Sequence, residues 1–377
     1  MHRAILIAFF LFCACSFFSE TTAQVDGREH PDLALIPYSD SVDHVISRDS
    51  QSVNESIPLT SMVRRLRNTS IRASIGTADD EGGEVIGEVE DIAVTEDGLY
   101  VLDSGFTRIR KYDSDGTPLQ TLGRAGQGPG ELAQASFLEV TNKGYLAVTD
   151  ASFLEVHEPI EGQLSEMKRR ATPAMVEGLC IIDDLAYVRA SDQENADQNI
   201  IVYDISNDSI AKINQFGPVY RSDFYMVKFL LSRGSMGCIP DMKRIAVGFT
   251  TMPFIYGLTV SGEVIWTSKL RNFQMASITE KADLEGPGLS YNFRGVTDVI
   301  VSIQGLPSGY FVVQTQRREM KKPNEMNMKN LHTYVVSATT GEGAYVGSSM
   351  SVIFDATDHQ LYTADTLPFP QVQILRY

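Results

Sequence analysis

The sequence predicts an all-β fold: a six-bladed β-propeller of four-stranded antiparallel blades, its ring closed by an N-terminal strand. Three observations predict it. Residues 89–123 hold four short strands of alternating hydrophobicity, separated by Gly/Asp turns. That unit recurs toward the C-terminus. The last copy ends one strand short, while a spare strand-like segment precedes the first copy. A four-stranded meander repeated along a chain is the signature of a propeller, because one blade cannot bury both of its faces alone.

The first unit reads Val89-Glu90-Asp91-Ile92-Ala93-Val94, a turn at Glu96-Asp97-Gly98, Leu99 to Asp103, Arg108 to Tyr112, a turn at Asp113 to Gly116, and Leu119 to Leu122. Gly tolerates the positive φ of tight hairpins, and Asp bonds nearby backbone N–H groups, so both residues punctuate the strands. Further units lie over 137–162, 178–206, 244–266, 298–341 and 352–375. The third to fifth are degenerate, so five or seven blades stay open beside six. Residues 69–76, Thr-Ser-Ile-Arg-Ala-Ser-Ile-Gly, parallel Thr117 to Gly123 and are expected to supply the outer strand of the last blade. Closure of this kind removes exposed sheet edges. The loop Gly123 to Glu131 is Gly-rich but lacks Lys-Ser/Thr, and no helical pattern follows it, so it is not read as a phosphate loop.

Residues 1–23 read as an export signal. Met1-His2-Arg3 is a positive start, Ala4 to Phe18 is almost wholly apolar, and Ser19 to Ala23 is small and polar. Thr21 and Ala23 fit a cleavage site before Gln24. Leu11-Phe12-Cys13-Ala14-Cys15 also resembles a bacterial lipoprotein box, which would put a lipid on Cys15, though Phe12 is unusual at its position. Both routes stay open. Both place the chain in the periplasm or cell envelope, soluble or lipid-anchored. No later stretch is long and apolar enough to span a bilayer. Residues 24–55 are polar and aperiodic and are expected to form a linker, leaving 56–377 as the propeller. Within the latter, Leu59, Met62, Val63 and Leu66 share one face of a short helix over 57–66.

The chain has 377 residues, 43% of them hydrophobic and 21% charged, enough apolar material for a large core. A net charge of -16 repels phosphate backbones and argues against a nucleic-acid partner. A monomer is expected. Cys180 and Cys238 fall on the expected innermost strands of neighbouring blades. A bridge between them is conceivable in an exported protein, but two cysteines in so large a chain are read first as buried apolar side chains, and neighbouring inner strands could stand too far apart for bridge geometry; both readings stay open.

The run "DGLYVLDSGFTRIRKYDSDGTPLQTLGRAGQGPGEL" resembles the NHL-type repeat and the six-bladed propellers exported by Bacteroidetes-like bacteria. "SIPLTSMVRRL" fits that group's approach to the ring. The motif covers residues 98–132 and implies a fold more than a function. Some relatives by fold are enzymes. Lactonase-like propellers hold calcium in the channel through Glu, Asn and Asp at inner-strand ends, and calcium needs six to eight oxygens. Here Glu90, Asp91, Glu139, Asp183, Asp298 and Asp355 lie near inner strands, with no Asn in a matching place. Zinc-dependent relatives need paired His ligands, whereas His30, His44, His157, His332 and His359 fall at unrelated repeat positions.

Asp103 and Asp150 close the second strands of two units and are read as turn-bonding residues. Residues 316–330 are expected to form a long loop of positive charge and three methionines on an acidic chain. Such loops on rigid scaffolds carry function, and methionine adapts to varied partners. Arg317, Arg318, Met320, Lys321, Lys322, Met326 and Met328 are therefore the candidate partner-binding residues. The expected function is non-enzymatic binding of protein, peptide or glycan on a ring face, with no catalytic residue and no cofactor assigned. The alternative is a calcium-dependent lactonase-like hydrolase or lyase with the metal in the channel.

Overall fold

The structure is a computed structural model that describes residues 42–48, 57–78, 85–160, 162–173, 175–190, 197–220, 225–275, 277–283, 286–292, 295–322 and 325–377. The signal segment, Cys15 and most of the expected linker lie outside the described residues.

Six antiparallel meanders follow one another. Blade one takes Val89–Thr95, Gly98–Asp103, Arg108–Asp113 and Pro118–Leu122. Blade two takes Ala135–Val140, Leu146–Asp150, Phe153–Ile160 and Gln163–Ala171. Blade three takes Val176–Ile182, Leu185–Ala190, Ile200–Asp204 and Ala211–Phe216. Blade four takes Gly234–Ile239, Arg244–Phe249, Phe254–Thr259 and Val264–Leu270. Blade five takes Gly295–Leu306, Tyr310–Lys322, Glu325–Ser337 and Gly343–Gly347. Blade six takes Val352–Ala356, Gln360–Asp365 and Gln371–Arg376, completed by Ser70–Ile75 from the other end of the chain. In that closure Ser70 stands opposite Arg376 and Ile75 opposite Val372.

The burial pattern explains the strand composition. The second strands Gly98–Asp103 and Leu146–Asp150 are buried at every position. Both faces of a blade meet a neighbour, so these strands read as continuous apolar runs. The outer strand Ala211–Phe216 is mostly exposed. Six apolar layers result, one between each pair of adjacent blades, the last joining blade six to blade one. Trp266, the only tryptophan, fills the layer between blades four and five and donates its indole N–H to the Ala338 carbonyl at 3.0 Å. Gly257 permits this, because a Cβ there would sit 2.0 Å from the indole ring.

Two additions flank the ring. The helix Ile57–Arg67 buries Leu59, Met62, Val63 and Leu66 in the layer between blades five and six, the face the sequence predicts. The expected linker is not wholly a linker. His44–Ile46 runs parallel to Val264–Leu270 as a fifth strand on blade four, and Ile46 is buried beside Trp266. One short apolar run in a polar stretch gave no periodicity from which to foresee this.

The structure decides between the two readings of the cysteines. Cys180 and Cys238 form a disulfide with a Cα–Cα separation of 6.2 Å. Inner strands crowd together near the ring axis rather than standing apart. A Cβ on Gly305 of blade five, for instance, would lie 1.9 Å from the Cys238 carbonyl oxygen.

Candidate functional site

Meander topology divides the connections between two faces. Turns joining first to second and third to fourth strands emerge on one face. Turns joining second to third strands, and crossovers to the next blade, emerge on the other. The first face carries short turns, the longest being 205–210, and the helix Ile57–Arg67 that leads into the outer strand of blade six. The second carries the crossovers 76–88, 123–134, 217–233 with a helix at Tyr225–Leu231, and 271–294 with a hairpin of Ser277–Asp283 and Gly286–Asn292. Phe106, half exposed, sits there in the 104–107 turn under the Arg108 guanidinium. Loops on a rigid scaffold are where binding residues concentrate, so this is the candidate face.

Blade five makes the face asymmetric. Its first three strands overrun the ring, and the segment expected as a loop over 316–330 is in its described part a continuation of two paired strands, with Lys322 opposite Glu325. Alternating polar residues hid the strands, since neither face of the extension enters the core. Arg317 is engaged within the chain. It donates to Asp298 through Nε at 2.9 Å and Nη2 at 3.1 Å. Arg318 lies on the opposite face, half-buried. Met328 is 36% exposed. Met320, Lys321, Lys322 and Met326 lie in the two strands, and their side chains fall outside the described residues.

Asp298 is the anchor of the extension. Its side chain is fully buried and also accepts from Arg48 Nη2 at 3.0 Å and from the Gln274 amide at 2.9 Å. Burial alone would raise this carboxyl, but Arg317, the Gln274 N–H and Arg48 hold it below its usual value. Arg48 further donates to the Tyr334 hydroxyl at 2.6 Å and meets His332 Nε2 at 3.1 Å. The other His332 nitrogen meets the Tyr345 hydroxyl at 3.0 Å. Burial, then the Arg48 charge, pushes His332 down to about 4. One carboxylate thus ties the N-terminal strand, the crossover from blade four and the extension into a single brace. Sequence reading missed this brace because its members come from separate stretches of chain with no shared motif.

The remaining carboxylates divide by role. Asp103 accepts the amides of Gly87 and Glu88 and pairs with Arg108. Asp150 accepts the amides of Ala133 and Gln134. Both fasten the lead-in of their own blade rather than the turn after the second strand that the sequence reading expected, and only the Arg108 pair is as read. Asp183 lies in a turn and pairs with Lys243 at 2.7 Å. On inner strands, Asp91 accepts the Leu138 amide at 2.8 Å and Asp355 the Val94 amide at 2.7 Å, lacing blade one to two and six to one. Glu139 stands near both. Burial, then Asp355 and Asp91, raises it well above the ordinary range. Burial raises Asp355 to about 6 against the pull of the Ala356 and Val94 amides. Among the described residues, no three or more His, Cys, Asp or Glu side chains are grouped so as to hold a metal ion. Asp91 and Asp355 spend oxygens on backbone amides, and of the six acidic residues placed near inner strands Asp183 and Asp298 are paired elsewhere, with Lys243 and with Arg317 and Arg48.

Together these features define an all-β, six-bladed propeller with one elaborated face. The fold is shared with a solved member of the DUF4221 family from Bacteroides vulgatus, at 11% identity and a TM-score of 0.57, over 82% of this chain and 97% of that one. A protein of Bacteroides fragilis described by its name as exported aligns at 13% identity and a TM-score of 0.51, over 88% and 99% of the two chains. No protein-family model matches the sequence. No curated protein matches it either. The NHL-type likeness therefore rests on the motif over 98–132 alone. The disulfide fits an oxidising compartment, and no helix among the described residues is long and apolar enough to cross a membrane.

Proposed function

We propose that this chain is an exported, non-enzymatic propeller that binds a protein, peptide or glycan on the face bearing the crossovers and the blade-five extension. The observation that carries the proposal is the asymmetry of the ring: one face holds short turns and the helix Ile57–Arg67, while the other holds the blade-to-blade crossovers and a braced projection. A scaffold that serves only itself has no use for such a difference. Site-specific photo-crosslinking in an exporting host tests it. Crosslinkers at Phe106 and Met328 are expected to capture a partner, and crosslinkers at Asp115 and Ser261, on the opposite face, are not. Equal capture from both faces, or none from Phe106 and Met328, overturns the proposal.

A second reading, a calcium-dependent hydrolase or lyase, draws on the carboxylates Asp91, Glu139 and Asp355 near the axis. Repulsion among them is what a cation would relieve. Elemental analysis finding stoichiometric calcium, with chelation lowering the melting temperature, favours this reading. Purified chain without calcium, indifferent to chelator, removes it.

A further inference from the structure

The extension of blade five carries a second feature that the brace at Asp298 does not use. Along Tyr310–Lys322 side chains alternate. Val313 packs in the layer against blade four, and Arg317 follows on that side to reach Asp298. Val312 packs in the layer against blade six, and Gln314 on that side donates to the Ser351 carbonyl and accepts the Ile353 amide. Arg318 therefore stands on the blade-six side, beyond Gln314. Its Nε is buried without a hydrogen-bond partner, and no carboxylate pairs with it among the described residues. Burial lowers the guanidinium to about 10. A desolvated charge without a counter-ion is costly, and proteins normally pair it. That cost is unusual in a chain carrying -16, where acidic side chains are abundant.

Beside Arg318 lies a free strand edge. Arg318 stands opposite Met328 in register. The strand Glu325–Ser337 is covered on its outer side only over Thr333–Val336, by Gly343–Gly347. Over Glu325–Leu331 no described strand takes that edge. An uncovered edge of this length offers a row of backbone donors and acceptors to an added strand. The sequence of the extension is net positive: Arg318, Lys321, Lys322 and Lys329 against Glu319 and Glu325.

We infer that Glu325–Leu331 is a β-augmentation site for an extended acidic peptide, with Arg318 pairing a carboxylate on the added strand. The added strand would run roughly 10 Å from the Arg318 backbone, two strand spacings away, a gap that an arginine and a glutamate side chain span together. Backbone pairing supplies affinity, and the guanidinium selects a carboxylate through its planar fork. The inference rests on the binding reading above and narrows it to one partner chemistry.

A displayed random dodecapeptide library tests it, selected on the mature chain and counter-selected on Arg318→Gln. Selected peptides are expected to hold Asp or Glu at one fixed position within alternating β-formers. Synthetic versions should bind Arg318→Gln at least about tenfold more weakly, the equivalent of ~1.4 kcal/mol, with Arg318→Lys intermediate and neither variant melting below the parent, since Gln removes an unpaired buried charge. A version of equal charge with proline at alternate positions, unable to add a strand, should lose binding. Equal binding to Arg318→Gln, equal binding of the proline version, or no acidic enrichment overturns the inference. If these fail while crosslinkers at Phe106 still capture a partner, the binding face stands and only this assignment falls.

Discussion

Reducing the Cys180–Cys238 bridge should weaken the ring by an amount set by how much chain it closes. The bridge joins inner strands of blades three and four across a sequence separation of 58 residues. Loop-closure entropy for that length puts the stabilisation at about 4 kcal/mol, acting mainly on the unfolded chain. The fold is large, so each kcal/mol moves the midpoint by about 2 °C, and the expected drop is roughly 8 °C. The clean comparison is the oxidised chain against the same chain reduced under denaturant and then held with reductant. Replacing both cysteines by alanine adds cavity costs at Cys180, which is 2% exposed, so Cys180→Ala/Cys238→Ala should melt a few degrees lower still. Calorimetry in the presence and absence of reductant reads the difference, and thiol labelling under denaturant confirms the redox state. If oxidised and fully reduced chains melt together, the bridge does not hold blades three and four. If native chain yields two free thiols, the bridge does not form.

Three further outcomes follow from the carboxylates and the histidine. Asp298→Ala removes the counter-charge of both Arg317 and Arg48 and should cost about 3–5 kcal/mol, read by denaturant unfolding. A variant that unfolds like the parent would show that the brace contributes nothing. Glu139→Gln should stabilise the chain at neutral pH, because a carboxyl raised by burial and by Asp355 and Asp91 loses stability as pH rises through its folded value. The gain should shrink as the pH falls toward the ordinary carboxylate range, and a gain that grows toward acid contradicts the sign. His332 is held near 4 against an ordinary value of 6.5, so the folded state binds fewer protons between those limits and stability falls as the pH drops from 6.5 to 4. His332→Gln should flatten that part of the melting profile, and an unchanged slope would place its origin elsewhere.

The comparison of sequence with structure turns on distance along the chain. Blade strands were readable because their evidence is local. Alternation such as Ile109-Arg110-Lys111-Tyr112 and turn residues such as Asp113-Ser114-Asp115-Gly116 state a hairpin within a few residues. Ring closure was readable because residues 69–76 repeat the pattern of 117–123, so the missing strand could be matched to its copy. The candidate site was readable only in part. Residues 316–330 stood out by charge, but their strand pairing did not, because a polar extension outside the core leaves no hydrophobic signature.

The sequence by itself determined the fold class, the blade pattern, the closing strand and the apolar face of the helix at Ile57–Arg67. Each depends on periodicities that a strand or helix imposes on its own residues. The tertiary structure alone decided that Cys180 meets Cys238, that His44–Ile46 docks on blade four, and that Arg48, Gln274 and Arg317 converge on Asp298. Those meetings join residues brought together only when the ring closes, and no local preference encodes the partner of a side chain on another blade.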